Sequence, residues 1–106
     1  QIGALVPKEF SLGQNYPNPF NPTTMIRFQL PVSSHVVLRI YNVLGQEVRT
    51  LADGPWDAGY KSMEWNSENN AGIAVAGGLY FYRLEATGVE NPGRHFSESR
   101  KMLLIR

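Results

Sequence analysis

The chain carries two histidines, nine carboxylates, ten lysines or arginines and no cysteine. Without cysteine there is no disulfide, no thiolate metal site and no thiol nucleophile. His35 and His95 lie far apart in the sequence, each at the start of an apolar-alternating run. Neither has an HxH or HExxH partner spacing, so both read as exposed polar positions rather than zinc ligands. The serines lie in no GxSxG elbow, and GxGxxG and phosphate-binding loops are absent. Most carboxylates, namely Glu47, Asp53, Asp57, Glu64, Glu68, Glu85, Glu90 and Glu98, fall on outward strand positions or in turns. An acid/base pair needs a cleft to hold it, and short connecting loops leave little room for one. The Asn66–Gly72 loop is rich in oxygen ligands but has too few acids, and the wrong spacing, for a calcium loop. The reading is of a non-enzyme without cofactor or metal.

Aromatic residues make up 11% of the chain. Trp56, Tyr41, Tyr60 and Phe81 fall off the buried faces, so they are candidates for stacking on a sugar ring; filling gaps at the core edge is the competing role. The segment from Arg100 to Arg106 sets basic residues around an apolar strand (Arg100, Lys101, Met102, Leu103, Leu104, Ile105, Arg106). That pattern suits a contact patch, and equally suits charges that discourage edge-to-edge pairing.

What must position these residues is a series of short strands. Thr24–Leu30 alternates Ile26, Phe28 and Leu30 with Arg27 and Gln29, and His35–Tyr41 alternates Val36, Leu38 and Ile40 with Val37, Arg39 and Tyr41. Glu47–Leu51, Tyr60–Trp65, Leu79–Glu85 and Phe96–Ile105 continue the pattern, and Phe10–Tyr16 opens it. Asp53–Gly59 reads as a loop, and Thr87–Gly93 as a flexible hairpin loop. Tyr16, Pro17, Asn18, Pro19, Phe20, Asn21 and Pro22 hold three prolines that cannot donate to a ladder, so this segment is a stiff crossing with Phe20 plugging the core. Gly78 allows a tight entry into the strand that places Tyr80, Tyr82 and Leu84 on one face. No stretch has a 3.6-residue period. The expected fold is an all-β, immunoglobulin-like antiparallel β-sandwich of about seven strands.

The chain has 106 residues, enough for one core, with 42% hydrophobic and 18% charged residues and a net charge of +1. That composition fits a globular, monomeric domain and gives no footprint for nucleic acid. Residues 1–9 read as the end of a linker and residues 10–106 as the domain. The chain begins at Gln1 without Met or signal peptide, as a piece of a longer protein would.

The blocks also resemble a known family. Leu12-Gly-Gln-Asn-Tyr-Pro-Asn-Pro-Phe-Asn-Pro-Thr-Thr24 and Ile26–Pro31 look like the opening of the type A C-terminal sorting domain of the type IX (Por) secretion system. Val36–Val48, Gly78–Leu84 and Lys101–Arg106 resemble its remaining blocks, in the same order. The related Ig-like domain of the flagellar hook-capping protein shares the Gly-x-Tyr block and the fold. The resemblance implies a module behind a cargo domain, exported through the periplasm to the cell surface or medium. The implied partner is the outer-membrane type IX machinery, with the processed cargo attached to surface lipopolysaccharide. It further implies that Arg100–Arg106 is what the machinery reads, and that deleting Lys101–Arg106 blocks export while sparing the upstream core. Two departures from the family pattern are Asn66-Ser67 in place of an Asp-Gly after the tryptophan, and a longer Val89–Gly93 insertion. A carbohydrate-binding module and a structural spacer or assembly domain are the alternative functions.

Overall fold

The computed structural model describes residues 6–106. Seven strands are arranged as two antiparallel sheets: β1 (Ser11–Leu12), β2 (Thr24–Leu30) and β5 (Gly59–Trp65) in the order β1-β2-β5, and β4 (Glu47–Trp56), β3 (Ser34–Tyr41), β6 (Gly78–Gly88) and β7 (His95–Leu104) in the order β4-β3-β6-β7. This is the expected immunoglobulin-like sandwich.

Alternation decides which side chains enter the core, because successive residues of a strand point to opposite faces. Ile26, Phe28 and Leu30 from β2 meet Val36, Leu38 and Ile40 from β3 and Tyr82, Leu84 and Ala86 from β6, all buried. Trp65 closes the end of β5 and touches Tyr80 edge-on, with ring centroids 5.4 Å apart. Gly45 takes φ 80° in the β3–β4 turn, where Asn42 Oδ1 accepts from the amides of Leu44 and Gln46. Gly78 enters β6 at φ 148°, a conformation side chains resist.

Three expectations need correction. Asp53–Trp56 is strand rather than loop: β4 runs ten residues, to Trp56. Pro55, paired with His35, sits on an edge strand, where its missing N–H breaks no second ladder. The opening run shrinks to Ser11–Leu12 plus one bridge between Tyr16 and Met25, because between them Asn15 turns inward to bond Tyr82 and Thr24. β6 extends to Gly88, so the hairpin loop starts later than expected. Of the linker, residues 1–5 lie outside the described residues, and Pro7 is buried against the domain.

A buried polar network joins the sheets. The Asn15 amide donates to the Tyr82 hydroxyl at 2.8 Å, and that hydroxyl donates to the Gly13 carbonyl at 2.7 Å. Asn15 Nδ2 donates to Thr24 Oγ1 at 2.9 Å, and Thr24 donates to the Pro17 carbonyl at 2.8 Å. Burial pushes the Tyr82 phenol above its ordinary pKa, against the lowering effects of the Asn15 amide and the Arg100 guanidinium. Tyr80 is raised by burial as well, opposed by Arg106. The unfolded chain ionises these two phenols near pH 10, whereas in the fold they hold the proton to higher pH, so the stability they contribute is full below about pH 10 and is lost as pH rises through their raised folded values. Tyr82→Phe is expected to cost about 1–3 kcal/mol by leaving a buried donor and acceptor unpaired. It should also shrink the alkaline limb of the stability–pH curve, which urea titrations between neutral and high pH would measure.

Candidate interaction surface

The Arg100–Arg106 segment forms the end of β7 and the two residues beyond it. Its alternation divides it. Met102 and Leu104 are buried in the core. They are therefore removed from the proposed contact set, since no partner reaches them in the folded domain. Lys101, Leu103, Ile105 and Arg106 remain exposed. Arg100 is half-buried at the seam between the sheets; its Nε donates to the Leu12 carbonyl at 2.8 Å, and its guanidinium pairs with Glu98 at 3.0 Å.

β7 is an edge strand, yet its outer edge is not free from Lys101 to Ile105. The Tyr16–Pro22 segment lies along it as a strap. Phe20 donates its amide to the Leu103 carbonyl at 3.0 Å and accepts from the Ile105 amide at 2.9 Å. Asn18 Oδ1 accepts from the Leu103 amide at 3.0 Å, and Gln14 Nε2 donates to the Lys101 carbonyl at 2.9 Å. The Phe20 ring is buried and packs on Trp65, with centroids 5.9 Å apart. Pro17, Asn18, Pro19, Asn21 and Pro22 are exposed, and all three X–Pro bonds are cis. The Tyr16 side chain is also exposed; only its backbone ties it down, in two bonds with Met25. The strap ends on Pro22, whose carbonyl accepts from the buried Ser67 hydroxyl. Ser67 has φ 68°, a conformation that favours glycine, but glycine would have no hydroxyl for this bond.

Covering the edge in this way blocks strand addition along Lys101–Ile105. A covered last strand is the feature expected of a spacer; exposed side chains at Lys101, Leu103, Ile105 and Arg106 are the feature expected of a contact surface. The edge is closed and the face is open. Gly78 and Tyr80 sit beside this region: Gly78 pairs with Leu104, Tyr80 with Met102, and the Tyr80 hydroxyl donates to the Ala76 carbonyl at 2.6 Å. Arg106 Nε donates to the Val75 carbonyl at 2.7 Å.

Of the four sugar-stacking candidates only Tyr41 and Phe81 come together. Trp56 is half-buried against Phe28, centroids 5.5 Å apart, opposite Ser34 at the start of β3. Tyr41 ends β3 on the other face of that sheet, beside Phe81. Tyr60 is exposed on β5, in the other sheet. A glycan platform of Trp56, Tyr41 and Tyr60 is thereby excluded; sequence could not separate them because it does not give register.

His35 and His95 both lie in one cross-strand row, on either side of Thr87, which sequence distance had hidden. His35 Nε2 contacts Asp53 at 3.1 Å, and His95 Nδ1 contacts Thr87 Oγ1 at 2.9 Å. Among the described residues no group of three or more His, Asp or Glu could hold a metal ion.

No curated protein matches this chain. Solved structures similar in fold include dimeric latent PorU from Porphyromonas gingivalis, at 20% identity and TM-score 0.68, over 87% of this chain and 9% of that one. PorZ of Porphyromonas gingivalis, described as an essential bacterial surface component of the type-IX secretion system, matches at 18% identity and TM-score 0.51, over 92% of this chain and 11% of its own. FlgD from P. aeruginosa matches at 19% identity and TM-score 0.60, over 93% of this chain and 76% of its own. The chain thus spans about a tenth of the PorU and PorZ chains. Residues 15–90 match the FlgD Ig-like domain family, well over half of the sequence. On that match, the chain belongs to the FlgD Ig-like domain family.

Proposed function

We propose that this domain is a non-catalytic C-terminal sorting module of type A, which presents a preceding cargo to the outer-membrane type IX machinery for export and surface attachment. One observation carries the reading. The sequence blocks behind the resemblance are far apart in the chain, yet the Tyr16–Pro22 block, the Gly78–Leu84 block and the Lys101–Arg106 block meet along β7. Likeness in fold to a surface component of that secretion system is consistent with it. The cargo passes through the periplasm, and lipopolysaccharide enters only through the processed cargo.

The test is a periplasm-directed reporter fused ahead of the chain in a type IX-competent host. Export to the surface or medium is expected; a reporter that stays periplasmic overturns the reading. The spacer reading has a specific observation in its favour, the closed edge of β7, and predicts that second outcome. For the carbohydrate reading, affinity electrophoresis against xylan, cellulose and mannan is expected to show no retardation.

A further inference from the structure

The outward face of the four-stranded sheet changes character from one end to the other. From β3 through β6 to β7, successive cross-strand rows read His35–Thr87–His95, Val37–Glu85–Ser97 and Arg39–Arg83–Ser99. Apart from Val37 these are the polar residues expected where a sheet faces water. The next row reads Tyr41–Phe81–Lys101, and beyond the end of β3 Leu79 stands directly opposite Leu103. Leu79, Leu103 and Ile105 are 39%, 41% and 49% exposed. Val43, in the turn after β3, is exposed and lines a shallow concavity with Tyr41 and Phe81. Alternate residues of one strand share a face, so Phe81 continues to Leu79 and Leu103 continues to Ile105. The apolar side chains form a continuous strip across one end of the sheet, and such strips mark interaction sites.

Charge narrows the occupant. Arg83 and Arg100 are each paired, with Glu85 at 2.9 Å and Glu98 at 3.0 Å. Lys101, beside Phe81 in the strip, has no carboxylate within ion-pair distance among the described residues. An anionic membrane calls for a cluster of about 4–8 basic residues, which this strip lacks. Its most exposed members are aliphatic, whereas sugar recognition relies on open aromatic faces.

We propose that the strip built jointly by Leu79 of β6, Lys101 and Leu103 at the end of β7, and Ile105 just past it is the docking surface for a protein partner with an apolar patch and a carboxylate placed to meet Lys101. The proposal rests on the export reading and changes what is read: a folded surface shared by two strands, not a linear C-terminal segment. Burial of the leucines supplies affinity, and the lysine supplies orientation.

The test introduces Leu79→Ser, Leu103→Ser and Lys101→Glu singly into the reporter fusion. These side chains point away from the core, and circular dichroism melting checks that each variant stays folded. Each is expected to lower export by roughly tenfold, as truncation of a central contact does, and Lys101→Arg to retain it. Loss with Leu103→Ser alongside full export with Leu79→Ser overturns the shared surface and leaves the export reading standing. Full export in all three also overturns it. Failure of the unsubstituted fusion to leave the periplasm overturns the export reading itself. A dimer in sedimentation that Leu79→Ser dissolves, or flotation with phosphatidylglycerol vesicles, assigns the strip to another occupant and overturns the proposal.

Discussion

Removing Lys101–Arg106 is expected to abolish cooperative folding, not to leave a folded core that has lost its signal. The family resemblance implied the milder outcome, with the segment serving as a contact strand that the upstream core could do without. In the fold it supplies Met102 and Leu104, both buried. Each such side chain stabilises by about 1.5–3 kcal/mol when fully buried. The same deletion strips Leu103 and Ile105 from the strap, so Phe20 loses both of its backbone partners there. A domain of this size is stable by only about 5–15 kcal/mol, so the combined loss consumes most of that margin. Circular dichroism melting of the truncated chain checks this: no cooperative transition is expected, and a midpoint within a few degrees of the full chain contradicts it. A failure of this truncation to be exported would consequently say nothing about a signal, which is why outward substitutions are the informative variants.

Phe20→Ala is the second large effect. The ring is buried between the sheets against Trp65, and replacing it leaves a cavity that the stiff strap collapses poorly. The expected cost is about 3–5 kcal/mol. At roughly 4–8 °C per kcal/mol for a chain near this length, the melting midpoint should drop by more than ten degrees. The amides of Leu103 and Ile105 should lose much of their protection from hydrogen exchange as the strap lifts, and exposure of the β7 edge should promote self-association. Unchanged protection at Leu103 and Ile105 would show that the strap does not hold this edge. Asn18→Ala is the milder control, since it removes one side-chain acceptor and no core volume.

Strand identity was legible wherever alternation was clean. β2, β3 and the first part of β6 follow directly from residues such as Ile26, Leu38 and Tyr82. The end of β4 was not, because Gly54 and Pro55 carry the local signature of a turn; only the edge position of that strand makes them tolerable. The proline block was legible as rigid, and Phe20 as core, but its bonds to Leu103 and Ile105 join residues more than eighty positions apart. Local pattern holds no record of such pairing. The candidate surface was half legible for the same reason. Lys101, Leu103 and Ile105 stand out as an apolar run with basic flanks, whereas Leu79 looked like an ordinary strand residue until register set it opposite Leu103. Register likewise separates Trp56 from Tyr41, which the alternation pattern had grouped together off the buried faces.

The most direct measurement of the central claim is surface exposure of a periplasm-directed reporter fused ahead of this chain. Protease accessibility on intact cells would be compared between a type IX-competent host and the same host lacking the outer-membrane translocon. Digestion in the competent host alone is the predicted result. Equal accessibility in both hosts, or a reporter protected in both, would contradict the account.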